Sequence, residues 1–209
     1  RSISFNVSIP GKDPVTLHGH YWYSAKAIAA GTRCPAIIEL NPYRCRDGTM
    51  YVDSKMHPWF AYNGYLAFRV DLQGSGNSTG SLTDEYTEEE LAYCVQIINQ
   101  VAALPLCDGN VGMIGESWSA INSLMVAARD DCPSALKAVV VNCGSDDQCR
   151  LGLEHVGLAA IATGPGGCRR RLARHLAPAY SQHVLLVRAV GRTPDARRLL
   201  EPQQRARPL

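Results

Sequence analysis

From residue 35 to residue 142 the sequence alternates short apolar runs with patterns of helical periodicity, and this alternation constrains the fold more than any other feature. The runs at 35–40 and 65–70 are apolar almost throughout, which is typical of strands buried on both faces of a parallel sheet. The predicted elements in chain order are a strand at 35–40, a helix at 56–63, a strand at 65–70, a helix at 88–104, a strand at 111–114, a helix at 119–129 and a strand at 138–142. Strands that alternate with helices predict a mostly parallel α/β sheet with right-handed crossovers.

The segment before this alternation predicts an antiparallel pair. Residues 2–8 and 15–23 each alternate apolar and polar side chains, and the turn-like sequence Gly11-Lys12-Asp13-Pro14 separates them. Such alternation is typical of half-buried strands, so we expect these two strands to pair with each other.

The helix predicted at 88–104 has clear start and stop signals. Thr87 with Glu90 three residues later fits a capping box, and Pro105 ends the helical pattern. The sequence Asp108-Gly109-Asn110 then predicts a turn before the next strand.

The segment Gly115-Glu116-Ser117-Trp118-Ser119 lies between a predicted strand and a predicted helix, which is the context of a nucleophile elbow. A serine on a strained strand-to-helix turn needs small residues two positions before and after it, because the two backbones approach closely there. Gly115 and Ser119 meet that need. The first amides of the following helix favour negative charge at the same point. The alternative interpretation of Ser117 is the N-cap of an ordinary helix.

The glycine-rich segment 71–80 follows a predicted strand but matches no phosphate-binding motif. Thr79 stands where the dinucleotide fingerprint requires its third glycine, and the Gly-Lys-Ser/Thr of a phosphate loop is missing. We interpret the segment as a turn-rich connection and expect no cofactor. The eight cysteines contain no C-x-x-C pair, so no metal site is expected. We interpret them as small buried residues of a protein in a reducing compartment.

A series of spaced motifs runs through residues 1–147. These motifs are Asn41-Pro42-Tyr43-Arg44, Arg46-Asp47-Gly48-Thr49, His57, Asn63-Gly64-Tyr65, Arg69-Val70-Asp71, Gly74-Ser75-Gly76 with Ser78 and Gly80, Asp84-Glu85-Tyr86, Cys107-Asp108-Gly109-Asn110-Val111-Gly112-Met113, and Ser117 with its neighbours. In this order they resemble the X-Pro dipeptidyl-peptidase and cocaine-esterase family of α/β-hydrolases. The chain departs from the family pattern at Gln73, where arginine is usual and a local ion pair is therefore in question, and at Ser119, where glycine is commoner.

The resemblance implies that residues 1–147 are the N-terminal part of an α/β-hydrolase catalytic domain, in a serine hydrolase that forms an acyl-enzyme. Ser117 would be the nucleophile. Tyr43 would donate its phenolic hydroxyl to the oxyanion, together with the backbone N–H of Trp118; the alternative for Tyr43 is a core tyrosine with a satisfied hydroxyl. The substrate would be a small ester or an X-Pro peptide. The alternative from another functional class is a catalytically inactive fragment that acts only as a binding or structural module.

A serine nucleophile also needs an orienting acid and a histidine base, which follow it in that order in this fold. Asp146 or Asp147 with His155 satisfies the order, but no motif places an imidazole near Ser117. In the family these groups lie on late strands, after a helical cap and before a jelly-roll domain, and nothing after residue 147 resembles those parts. We therefore expect an incomplete hydrolase fold whose sheet ends at the strand 138–142, and no catalytic histidine within reach of the serine. The histidines that precede the nucleophile are interpreted as surface or hydrogen-bonded core residues: His18, His20 and His57.

The charge of the sequence changes near residue 147. Residues 1–147 carry a formal charge of −6, and residues 148–209 carry +8, from eleven arginines against three acidic residues. We expect 148–209 to be a separate Arg-rich segment without family resemblance, either disordered or out of frame. The alternative is a basic tail that binds nucleic acid, a partner that we do not expect.

No apolar run of the sequence reaches the ~18 residues that a membrane-spanning helix requires, so no membrane partner is expected. We favour a cytoplasmic location. Because the chain begins with Arg1 rather than Met, the question of a preceding signal sequence stays open.

Overall fold

The computed structural model describes residues 1–144 and 185–187. The strands in these residues are β1 (Ser2–Val7), β2 (Val15–Trp22), β3 (Cys34–Asn41), β4 (Leu66–Asp71), β5 (Cys107–Glu116), β6 (Leu136–Asn142) and β7 (Leu185–Val187). The helices are α1 (Ala25–Ala29), α2 (Met50–Tyr62), α3 (Glu88–Ala102) and α4 (Trp118–Ala127).

The strands form one sheet in the order β1-β2-β4-β3-β5-β6-β7. Its central strands β4, β3, β5 and β6 run parallel to one another. The predicted antiparallel pair of β1 and β2 forms one edge, and β2 also runs antiparallel to β4. Helices α3 and α4 pack together over β3 and β5, whereas α2 packs on β4 and β2. The predicted α/β class, a mostly parallel sheet flanked by helices, is confirmed.

Apolar side chains of the central strands and of α3 form one buried core. All six residues of β4 are buried, as its nearly continuous apolar run predicts, including the charged residues Arg69 and Asp71. Thr87 caps α3 by accepting the backbone N–H of Glu90 at 3.1 Å. Burying one large apolar side chain stabilises a fold by ~1.5–3 kcal/mol, so this core holds the carboxyl ends of the parallel strands in fixed positions. Those strand ends are where open α/β sheets bind ligands.

Two helical segments differ from the sequence prediction. Helix α2 begins at Met50 rather than at residue 56. The sequence did not predict this start, because the first turn exposes Met50, Tyr51 and Val52 and therefore has no recognisable apolar face towards the core. Helix α1 was not predicted, because it buries no residue and so has no apolar periodicity.

The turn expected at Asp108-Gly109-Asn110 is wrong, because these residues lie inside β5. They occupy an irregularity in the register with β3, which pairs Cys34 with Cys107 and then Ala36 with Val111. The unequal spacing of the two pairs accommodates the extra residues as a bulge.

The expectation that the sheet ends at 138–142 is also wrong. Strand β7 pairs antiparallel with β6, opposite residues 139–141, and therefore covers the backbone edge of β6. The sequence pattern could not show this pairing, because the two strands are far apart along the chain. The division of the chain at residue 147 stays a prediction.

Six cysteines lie in the part of the chain that the structure describes, and all six are free thiols. Cys34, Cys45, Cys94 and Cys107 are buried as predicted, whereas Cys143 is exposed. Across residues 1–144 and 185–187, no helix combines the length and the apolar character that a bilayer span requires.

Candidate active site

Ser117 lies on a tight turn between the end of β5 and the start of α4. Its backbone has φ 57° and ψ −112°, a conformation that side-chain-bearing residues rarely adopt. The two backbones approach so closely that a Cβ on Gly115 would lie 2.1 Å from the carbonyl carbon of Ser119. The predicted strand–turn–helix geometry is therefore confirmed, together with the physical reason for a glycine at position 115.

Tyr43 places its hydroxyl beside this serine. Its Oη donates to Ser117 Oγ at 3.2 Å and accepts the backbone N–H of Trp118 at 3.3 Å. The predicted position of Tyr43, beyond the end of β3 and facing the serine, is confirmed. Because the residue is 38% exposed, Tyr43 is not the core tyrosine of the alternative interpretation.

The structure thus brings Ser117, Tyr43 and Trp118 together at the carboxyl end of the parallel strands. Two hydrogen-bond donors, a phenolic O–H and a backbone N–H, lie beside one hydroxyl. A carbonyl oxygen placed between the donors would bring its carbon close to the serine oxygen, which is the geometry that acyl transfer requires. The catalytic roles of the three residues stay predictions.

Trp118 is fixed by a buried carboxyl group. Its indole Nε1–H donates to Glu90 Oε1 at 2.9 Å, and its ring lies 5.0 Å from that of Tyr86. Asn122 donates to the same carboxyl oxygen at 3.4 Å. Burial raises the pKa of Glu90, and the hydrogen bond from Trp118 opposes that increase. Sequence reasoning used Glu90 only as a helix cap and missed its contact with the tryptophan.

A second buried polar cluster lies beneath the site and was missed by the sequence analysis. It contains Glu39 on β3, Asp53 and His57 on α2, and Arg69 and Asp71 on β4. Arg69 contacts Asp53 at 3.5 Å and Asp71 at 3.2 Å. The available signal was a charged residue inside each of two otherwise apolar strands.

His57 is fully buried in this cluster. Its Nε2 lies 3.6 Å from Glu39 Oε2, and its ring stacks on Trp22 with centroids 4.9 Å apart. Burial, and next the charge of Arg69, lower the pKa of His57 to about 4. Burial raises the pKa values of Glu39 and Asp53.

Ligand-type atoms of Glu39, Asp53 and His57 lie within 4.8 Å of one another. The guanidinium of Arg69 already supplies a positive charge to Asp53, so the cluster is better described as a buried ion-pair network than as a metal centre. Of the other early histidines, His18 lies 3.2 Å from the Ser4 hydroxyl on the outer part of the sheet.

The acid and base candidates Asp146, Asp147 and His155 lie outside the described residues. The hydrogen bond that the structure gives the Ser117 hydroxyl joins it to Tyr43. The proposed order of acid and base therefore stays a prediction.

In a comparison with protein families, residues 25–188 match the family described as X-Pro dipeptidyl-peptidase (S15 family). Two mycobacterial proteins provisionally named serine esterases, from Mycobacterium bovis and Mycobacterium tuberculosis, are each 30% identical over 66 residues, which is 32% of this chain and 10% of theirs. The chain thus spans about a tenth of the length of these curated relatives.

Solved structures with the same arrangement include three hydrolases. An aminopeptidase from a marine sediment Thaumarchaeota archaeon has a TM-score of 0.53 at 21% identity, over 69% of this chain and 26% of its own. A CocE/NonD family hydrolase from Staphylococcus aureus has a TM-score of 0.53 at 18% identity, over 70% of this chain and 28% of its own. An α-amino acid ester hydrolase has a TM-score of 0.52 at 22% identity, over 69% of this chain and 25% of its own. These similarities confirm the α/β-hydrolase fold.

Proposed function

Since this chain belongs to the X-Pro dipeptidyl-peptidase (S15) family, we propose that it is a serine hydrolase that cleaves a small ester or peptide through an acyl-enzyme on Ser117. The observation that carries the proposal is the placement of two hydrogen-bond donors, the Tyr43 hydroxyl and the Trp118 backbone N–H, beside a serine held at positive φ. The names of the similar proteins include both esterases and peptidases, so the proposal covers ester and amide bonds.

In the proposed reaction, Ser117 Oγ attacks the substrate carbonyl carbon while its proton passes to a general base. The carbonyl oxygen becomes an oxyanion, and the Tyr43 hydroxyl turns its proton from Ser117 Oγ towards that oxygen. The backbone N–H of Trp118 is the second donor, and the first turn of α4 adds its favourable dipole. Collapse of the intermediate expels the alcohol or amine, which takes the proton, and leaves the acyl group on Ser117.

Water then attacks the acyl-enzyme by the reverse proton path and regenerates the serine. The base must lie at hydrogen-bond distance from Ser117 Oγ, ~2.6–3.2 Å, to accept its proton. A carboxylate must orient the base by a hydrogen bond to its other side. In this fold both groups follow Ser117 in the chain. Asp146 or Asp147 with His155 has that order in this sequence, but no sequence motif places the imidazole near the serine, so these residues are the ones to examine first if turnover depends on Ser117.

Reaction of the full chain with a fluorophosphonate probe tests the proposal, because the probe labels only an activated serine. We expect stoichiometric labelling that Ser117→Ala abolishes, and hydrolysis of p-nitrophenyl acetate that is lost in the same variant. Ser54→Ala, on the exposed side of α2, is the matched control and should behave as the unmodified chain. A folded chain that stays unlabelled and hydrolyses nothing would refute the proposal and favour the alternative of a catalytically inactive fragment.

A further inference from the structure

Glu39 lies at the end of β3 with 6% of its surface exposed, and its carboxylate connects two parts of the site. One oxygen, Oε1, accepts a hydrogen bond from the Asn41 side-chain amide at 3.0 Å and lies 3.2 Å from the Ser119 hydroxyl, whose proton it shares with the backbone carbonyl of Glu116 at 3.1 Å. Ser119 belongs to the first turn of α4, two residues after the nucleophile. A single buried oxygen atom therefore joins the elbow to the end of β3.

The connection continues from Asn41 to the oxyanion tyrosine. Asn41 Oδ1 accepts the backbone N–H of Tyr43 at 2.9 Å, a local turn that fixes where the tyrosine leaves the strand. The Tyr43 hydroxyl donates to Ser117, so the chain of contacts that starts at the elbow with Ser119 returns to the elbow at Ser117. Arg69 also donates to Asn41 Oδ1, so the amide orientation is set from both ends.

The opposite side of the Glu39 carboxylate is confined as well. Its Oε2 faces the imidazole of His57 at 3.6 Å, and Trp22 stacks on the other side of that ring. Among the described residues Oε2 has no hydrogen-bond partner, so the contacts of Oε1 with Asn41 and Ser119 are the hydrogen bonds that orient the carboxylate.

We propose that Glu39 is a positioning residue, which holds the Tyr43 hydroxyl at hydrogen-bond distance from the Ser117 hydroxyl by bridging Asn41 and Ser119. The proposal rests on the proposed function only in treating Tyr43 as an oxyanion donor. Glu39 touches no reacting atom. It acts through Asn41 and Ser119, the two residues that donate hydrogen bonds to its carboxylate. The geometry also gives the serine at position 119 a use that glycine cannot supply, since its hydroxyl is one of those donors.

The test compares variants that keep or remove the acceptor at position 39. Glu39→Leu fills a similar volume without an acceptor, whereas Glu39→Gln keeps one. Asn41→Asp opposes two carboxylates, and the double variant Glu39→Gln with Asn41→Asp restores one donor and one acceptor in the reverse direction. Leu17→Ala in β2, fully buried and outside this network, controls for a general loss of stability.

The first readout does not depend on activity. The full chain is labelled with 3-fluorotyrosine, and the ¹⁹F resonance of Tyr43 is assigned from its loss in Tyr43→Phe. We expect this resonance to shift in Glu39→Leu and Asn41→Asp, and to return towards its original position in the double variant. It should stay in place in Leu17→Ala, even where thermal stability falls by as much as in Glu39→Leu.

The second readout is ester hydrolysis. A displaced oxyanion donor should lower kcat by ~10²-fold in Glu39→Leu while KM changes by less than about threefold, with recovery in the double variant. If the Tyr43 resonance is unchanged in folded Glu39→Leu, Glu39 is a structural residue only and the proposal is refuted. If Glu39→Leu does not fold, the comparison of Asn41→Asp with the double variant Glu39→Gln and Asn41→Asp decides: an unchanged Tyr43 resonance in folded Asn41→Asp refutes the proposal. An unmodified chain without Ser117-dependent turnover would refute the proposed function, and the resonance experiment would still decide the role of Glu39.

Discussion

Removal of one hydroxyl group, in Tyr43→Phe, separates the catalytic from the structural interpretation of the site. In the proposed mechanism the Tyr43 hydroxyl is one of two donors to the oxyanion, and the other, the backbone N–H of Trp118, remains in the variant. Loss of one such donor typically costs about 10²–10³ in kcat, equivalent to ~2.7–4 kcal/mol of transition-state stabilisation. Since the oxyanion exists only in the transition state and intermediate, KM should change little.

The same substitution should affect folding much less. The hydroxyl makes exposed hydrogen bonds, and the residue is 38% exposed, so water can replace the lost partners. A net contribution at or below the usual ~0.5–1.5 kcal/mol per hydrogen bond is therefore expected for the free energy of unfolding.

The assay is initial-rate hydrolysis of a p-nitrophenyl ester by the full chain, with unfolding in urea measured on the same samples. Tyr51→Phe, which removes an exposed hydroxyl from α2, is the matched control and should retain full activity. If Tyr43→Phe keeps kcat within about threefold of the original value, it lacks the loss expected for an oxyanion donor and the reasoning is refuted.

Three further predictions concern groups around the site. Gly115→Ala should lower the thermal midpoint sharply, since its Cβ would lie 2.1 Å from a backbone carbon of α4 and overpacking costs ~1–3 kcal/mol or more; Gly112→Ala, whose nearest contact would be 3.6 Å, is the control in thermal denaturation. Glu90→Leu should destabilise the fold by roughly 1–3 kcal/mol, because the Trp118 indole N–H loses its acceptor; urea unfolding measures this against Glu90→Gln. The pKa of His57 is lowered from 6.5 to about 4, so the unfolded chain binds the extra proton and stability should fall as pH drops from about 6.5 to 4, by at most ~3 kcal/mol. His57→Phe should remove that part of the pH dependence, and an unchanged acid limb would contradict the assignment.

The elbow could be predicted from the sequence because its determinants are local. Gly115, Ser117 and Ser119 lie within five residues of one another, between segments whose apolar patterns already define a strand and a helix. The steric requirement follows from that spacing alone. The position of Tyr43 needed the family resemblance, since no local rule relates two residues on different strands.

The buried network could not be predicted in the same way. Glu39, Asp53 and Arg69 come from three separate elements, and their contacts depend on the register between β3 and β4 and on the rotation of α2. Strand β7 illustrates the same limit, since pairing between distant segments leaves no periodic signal in either. The start of α2 was missed for the opposite reason, because its apolar residues face outwards.

The backbone of Ser117 sets folding and function against each other at a single residue. A positive φ costs a serine ~1–3 kcal/mol, whereas glycine adopts such angles freely. Selection for stability alone would therefore favour glycine at position 117, whereas the proposed acyl transfer requires the serine despite its cost. Because a domain is stable by only ~5–15 kcal/mol, the strain at this turn is a sizeable fraction of the whole margin. The elbow is thus a position where a stabilising substitution by glycine would remove the hydroxyl that we propose as the nucleophile.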